Sequence, residues 1–269
     1  MSWKNAAKNV QWTEDKEAVT YPRIRWNNGR RVGRVGEPGQ FYVKAQYVNA
    51  CPDGWAESQL YPNEEGFEAP DIAIIPIARR TQPFTMADGV MTWHKHYERD
   101  QGMKLYTEIV CFLRGYNEPV IFACKGWIAG RITAVKRSVF QEHNDYVVKA
   151  ANAQAEAALP QWAFWVEFGG AYDKAGKPVF IEVGSGSQKA ALHDVILKGN
   201  LTQVATDTQI EALYIGDELF NKAAVLRAEL VTSGWLEERR GNTHAEEVAA
   251  ATPTIAPIVD PGLDDESIF

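Results

Sequence analysis

Cysteine is scarce in this chain, three in 269 residues (Cys51, Cys111 and Cys124), and no two are spaced as C-x-x-C. An odd number without that spacing argues against a disulfide framework or a thiolate metal site and predicts reduced, buried thiols. Long apolar runs are missing too: none reaches the eighteen or so residues that a membrane helix needs. The opening Met-Ser-Trp-Lys-Asn lacks the apolar stretch of a signal peptide. The expectation is a soluble protein, without a membrane partner, that stays in the cytoplasm where it is made. Catalytic signatures are also absent. There is no nucleophile elbow, no H-E-x-x-H and no paired-acid motif. His94 and His96 could share a strand face and ligate a metal, but no companion Cys or carboxylate stands at a recognisable spacing. His143 and His193 are isolated. Gly184-Ser185-Gly186-Ser187-Gln188-Lys189 lacks the Gly-Lys-Ser/Thr ending of a Walker loop and reads as a helix start capped by Ser187. These absences point to a binding protein rather than an enzyme, with no catalytic residue, no metal and no cofactor.

Basic residues are missing from Gly241 onward, where six acids stand: Glu246, Glu247, Asp260, Asp264, Asp265 and Glu266. The chain's net charge of −7 therefore sits mostly in a separable tail, and 1–240 is nearly neutral. A neutral body with local basic clusters can meet phosphate. With 45% hydrophobic residues the body also has material for a core.

From Tyr21 to about Val139 the sequence reads as strands: Gln40–Val48, Asp71–Arg79, Lys104–Arg114 and Pro119–Val139, rich in β-branched and aromatic residues. Gly115-Tyr116-Asn117-Glu118 reads as a hairpin connection. A helical period follows, with Asn144 as cap and Val147, Ala151, Ala155 and Ala158 three and four apart, until Pro160. Gln161–Phe168 then alternates, with Trp162, Phe164, Val166 and Phe168 on one side, and Pro178–Val183 is predicted to pair with it as a hairpin. Two further helices are expected, one near Ser187 with Leu192 and Ile196 on one face. The other spans Asp217 to Thr232, with Leu219, Ala223, Leu226 and Leu230 as its stripe. Residues 241–269 cannot bury a core and read as a disordered acidic tail.

Leu263-Asp264-Asp265-Glu266-Ser267-Ile268-Phe269 places three acids before an aliphatic and a terminal aromatic residue. Such a tip offers an apolar anchor and a free carboxylate, framed by negative charge, to a pocket rimmed by Arg or Lys. A flexible tail of this length spans roughly 30 Å. The tip resembles the acidic C-terminal tip of bacterial and phage single-stranded DNA-binding proteins, a run of Asp followed by Ile-Pro-Phe. Here Ser267 precedes Ile268, and the Pro between Ile and Phe is missing. The resemblance implies that Asp264, Asp265, Glu266, Ile268 and Phe269 recruit replication and repair proteins. Strands, a helix, then two strands is also the order of an OB-fold. The expected fold is thus mainly β with helical additions (α+β), an OB-fold-like β-barrel. Its parts are an N-terminal arm (1–20), an OB-like DNA-binding domain (21–184), a helical extension (185–240) and the tail (241–269).

Cations interleaved with flat side chains suit single strands, since cations track phosphates and aromatics stack bases. Three clusters have this mixture. One holds Arg25, Trp26, Arg30 and Arg31. Another follows a strand as Arg79 and Arg80, with Trp93, Lys95 and Tyr97 alternating on one face nearby. The third is Lys125, Trp127, Arg131, Lys136 and Arg137. The expected partner is single-stranded DNA, in replication, recombination or repair, and homo-oligomerisation is left open. The alternatives from other classes are a nucleic-acid enzyme or accessory nuclease, and an adaptor acting through its tail.

Overall fold

The computed structural model describes residues 21–27, 39–61, 63–87, 90–98, 101–133, 137–183, 190–199, 201 and 203–236. Its strands are β1 (Arg23–Asn27), β2 (Gln40–Lys44), β3 (Ala56–Glu57), β4 (Gly66–Ala69), β5 (Asp71–Ala87), β6 (Val90–Trp93), β7 (Lys104–Leu113), β8 (Pro119–Lys125), β9 (Val166–Gly170), β10 (Phe180–Val183), β11 (Ala190–His193) and β12 (Val195–Leu197). Its helices are α1 (Gly126–Thr133), α2 (Val139–His143), α3 (Lys149–Asn152), α4 (Asp207–Leu213) and α5 (Asp217–Thr232), with a π-turn, Asn144–Val148, joining α2 to α3. The class is mixed, mostly sheet with a few helices. Among the described residues no helix is long and apolar enough to cross a membrane.

Strand text that is apolar at nearly every position predicts burial on both faces, and β5, β7 and β8 are built that way. Ile72, Ile74, Ile109, Cys111, Leu113, Val120 and Phe122 face one core. Their neighbours Ile75, Ile77, Val110, Phe112, Ile121 and Ala123 face a second core, into which α5 inserts Ala223, Leu226 and Leu230. The α5 stripe and boundaries agree with the sequence reading.

The sheet has ten strands in the order β12-β9-β5-β7-β8-β1-β2-β4-β3, with β6 on β5. All its pairs are antiparallel except β1 with β8. It curls strongly. Phe41 of β2 and Phe168 of β9 have four strands between them in this order, yet their rings lie 5.5 Å apart. Phe122 closes the cluster at 5.8 and 5.6 Å. Among the described residues no ladder joins the two ends, and the sheet they form is not closed into a barrel.

Several sequence expectations are corrected. Pro119–Val139 is not one strand: it ends at Lys125, and Gly126, with φ 60°, turns the chain into α1. The following helix starts earlier, capped by Ser138 whose hydroxyl accepts from Gln141 N–H, and ends at Asn152, whose carboxamide holds Leu159 in a turn. β10 does not pair with β9. It pairs with β11 in a separate two-stranded sheet, while β9 pairs with β5 and β12. Leu192 and Ile196, expected on a helix, lie on β11 and β12. The β6 strand ends at Trp93, so His94, Lys95, His96 and Tyr97 do not alternate along it, and His94 Nε2 lies 2.9 Å from Thr85 Oγ1. Cys111 and Cys124 are buried as expected, their thiols pushed up to about 12 by burial, but Cys51 is exposed.

Candidate nucleic-acid interface

Several of the residues expected to contact DNA also make contacts within the fold. Ile24 and Trp26 share the inward face of β1. The Trp26 ring packs 4.7 Å from Phe41 and 5.7 Å from His193, a fully buried imidazole. Gly39, with φ 88°, makes room for that imidazole, because a Cβ there would lie 1.9 Å from His193 Nδ1. Arg25 is half-buried on the opposite face of β1, beside Tyr42 and Ala123. Arg80 is an ion-pair residue. Its Nε and Nη2 each lie 2.8 Å from Glu108 Oε2, and its guanidinium stacks over Trp235 at 4.4 Å. Trp93 packs against Phe84 and Tyr106, at 5.8 and 5.5 Å.

In the third cluster, Trp127 is half-buried on α1 against the main core. Lys125 ends β8 opposite Tyr106. Arg131 pairs with Asp194 at 3.0 Å and donates to the carbonyl of Arg137. Lys95 and Tyr97 are exposed beyond the end of β6. Arg30, Arg31, Lys136 and the tip residues Asp264, Asp265, Glu266, Ile268 and Phe269 lie outside the described residues.

One of the predicted cations, Arg79, lines a cleft. Between its pairing with β9 at Asp71–Ile74 and with β6 at Phe84–Ala87, β5 is paired on one side only, by β7. A cleft of about 550 Å³ lies along this stretch, within the roughly 300–1,000 Å³ typical of ligand sites. Arg79 lines it and donates to Thr133 O across 3.1 Å. Exposed Arg137 precedes Ser138, which lines the same cleft. Arg227 of α5 adds a second lining cation and donates to Ile77 O, on the unpaired side of β5. The opposite wall carries the amides of Gln141, Asn144 and Gln161, and Trp162 stacks on Phe220 at 4.7 Å and 30°.

Among the described residues no Asp or Glu lines this cleft. That sets it apart in an acidic chain. Of two comparable clefts, one contains Asp53, Asp71 and Glu167 and the other Asp217 and Glu218. An anion would meet a lining carboxylate in either of those, and among the described residues no lining carboxylate here.

Three backbone irregularities surround the same cleft. The β5–β7 register shifts between Pro76 and Ala78, the bulge that aims Ile77 O at Arg227. Arg137 has φ 63°, a conformation that costs a non-glycine residue of order 1–3 kcal/mol. The π-turn begins at Asn144, on the cleft wall. Bulges and π-turns concentrate at functional sites, and three within one cleft mark it on grounds independent of its charge.

Sequence reasoning missed Arg227, Gln141, Asn144 and Gln161, and assigned Trp162 to the core. Arg227 had one readable signal: it directly follows Leu226 of the α5 stripe, so its side chain leaves the helix at the edge of the buried face. Nothing in the sequence links it to Arg79, since their contact partners are brought together only by the packing of α5 on β5. No protein-family model matches the chain, and no curated protein or solved structure matches it.

Proposed function

We propose that this chain binds single-stranded DNA and performs no chemistry on it. The observation that carries the reading is the cleft whose described lining holds no acid, with Arg79 and Arg227 for phosphate and Trp162 for a base. Cations with stacking surfaces and no sequence-reading helix suit a flexible single strand better than a duplex. An OB-like body is part of the proposal. The order β9-β5-β7-β8, with a helical segment between β8 and β9, and a sheet curled around Phe41, Phe122 and Phe168 support it.

The test is fluorescence anisotropy with labelled oligo-dT over a salt series. Affinity should fall by about 0.7 log units per phosphate contact for each tenfold rise in salt. Arg79→Glu should weaken binding by more than about tenfold at low salt, since it puts a like charge against the phosphate. Absence of binding at low salt, or binding indifferent to salt, removes the proposal. Cleavage of the strand in Mg²⁺ or Mn²⁺ would replace it with a nucleic-acid enzyme.

The tip belongs to the same proposal. Asp264, Asp265, Glu266, Ile268 and Phe269 recruit a replication or repair protein through an apolar anchor and its charged frame. Phe269→Ala should abolish capture of that partner and leave oligo-dT affinity unchanged. Retained capture by Phe269→Ala would reduce the tip to a solubilising tail.

A further inference from the structure

The wall facing Arg79 and Arg227 carries three side-chain amides, and they are not equivalent. Gln161 Nε2 donates to Phe140 O at 3.1 Å, and Gln141 Nε2 donates to Asp145 Oδ2 at 2.9 Å. Both carboxamides are therefore anchored to the protein. Asn144 is different. Its backbone N–H is fixed to the carbonyls of Gln141 and Phe140, but among the described residues its carboxamide makes no hydrogen bond. A short side chain on a pinned backbone thus holds a free donor and a free acceptor side by side on the wall of a cleft.

That pair is what a base edge requires. Asn matches the N6 amino group and N7 of adenine with two hydrogen bonds. Adenine places its amino donor between two ring-nitrogen acceptors, so either edge can meet a carboxamide, and its two fused rings cover more of an indole than a pyrimidine does. Trp162, backed by Phe220 at 4.7 Å, lines the same cleft and supplies the indole. About 550 Å³ holds one nucleotide, not several.

Resting on the single-stranded DNA reading above, we propose that this cleft is a one-nucleotide subsite in which Asn144 reads the base and favours adenine. The body would then hold single strands in general while choosing its register on them by adenine. The cations supply affinity without sequence, and Asn144 supplies the choice, as phosphate and base contacts divide the work elsewhere.

The experiment uses the full chain and three labelled strands of equal length: all dT, dT with one central dA, and dT with one central dC. The expected result is that the single dA tightens binding by about tenfold, the size of one two-bond base contact, and the single dC does not. In Asn144→Ala the three strands should bind alike. Equal affinities in the native protein, or a dA preference that survives in Asn144→Ala, overturns the base-reading role while leaving single-strand binding intact. Failure to bind any of the three overturns both. A circular dichroism spectrum of Asn144→Ala matching that of the native protein ties the change to the side chain and not to loss of the π-turn.

Discussion

Glu108→Ala is expected to lower the free energy of unfolding by about 3–5 kcal/mol, the cost of removing one partner from a buried ion cluster. Glu108 lies in mid-β7 with its side chain 2% exposed, between Arg23 at 3.0 Å and Arg80 at 2.8 Å. Arg23 also donates to Tyr106 Oη at 3.2 Å, and Arg80 to Trp235 O at 3.4 Å. The single carboxylate therefore gathers β1, β5, β7 and the segment after α5 on one face of the sheet. Without it two guanidinium groups face each other across the site, that of Arg80 only 13% exposed. Urea unfolding followed by tryptophan fluorescence gives the difference directly. A loss below about 1 kcal/mol would mean that water screens the cluster as it does a surface pair. The companion variant Arg80→Ala should destabilise the fold and leave oligo-dT affinity unchanged, which separates it from Arg79→Glu.

Acid should find a second weak point at His143. Its ring is fully buried, and among the described residues neither nitrogen has a hydrogen-bond partner. Burial lowers its pKa to about 4 from an ordinary 6.5, opposed only in part by the backbone of Trp165. The native state thus holds the imidazole neutral, whereas the unfolded chain protonates it below about pH 6.5. Protons consequently favour unfolding as pH drops from 6.5 towards 4, by up to about 1.4 kcal/mol per pH unit and roughly 3 kcal/mol in all. Above pH 6.5 this group makes stability independent of pH. Urea midpoints of the native protein and of His143→Leu, taken from pH 7.5 to 4.5, isolate the effect. The native curve should fall more steeply below pH 6.5, and parallel curves would mean that the imidazole is not held neutral.

Elements with a long, consistent period were legible in the sequence. The start of β5 at Asp71 and β7 with its hairpin to β8 follow from long β-branched and aromatic runs bounded by turn residues, and α5 with its stripe follows from three-and-four spacing. Short apolar runs were not. Ala190–Leu197 is too short to distinguish a helix from two strands by period alone, and the β12 pairing with Gly169 and Gly170 decides it. Phe164, Val166 and Phe168 are buried on one side as the alternation required, but Gln161–Ala163 winds into a 3₁₀ turn and brings Trp162 to the cleft. The basic clusters do not show in the sequence which of their cations are paired within the fold. A run such as Arg79-Arg80 looks like one patch, yet neighbours on a strand face opposite ways. Arg80 finds its acid 28 residues along the chain and Arg131 finds Asp194 63 residues along. Only the folded sheet separates cations that are paired from those that line the cleft.

The parallel pairing of β1 with β8 has a consequence for how the protein is made. Arg23 and Ile121 are register partners, so the strand that must receive β1 leaves the ribosome about a hundred residues later. At roughly 5–20 residues per second that interval is on the order of ten seconds. Until then β1 has only β2 beside it, itself paired with β4 on its other side, and Ile24 and Trp26 wait without β8. Phe41 waits longer, until β9 brings Phe168, so the N-terminal strands and the body of the sheet join only after β8 is made, with β9 and β12 still to follow.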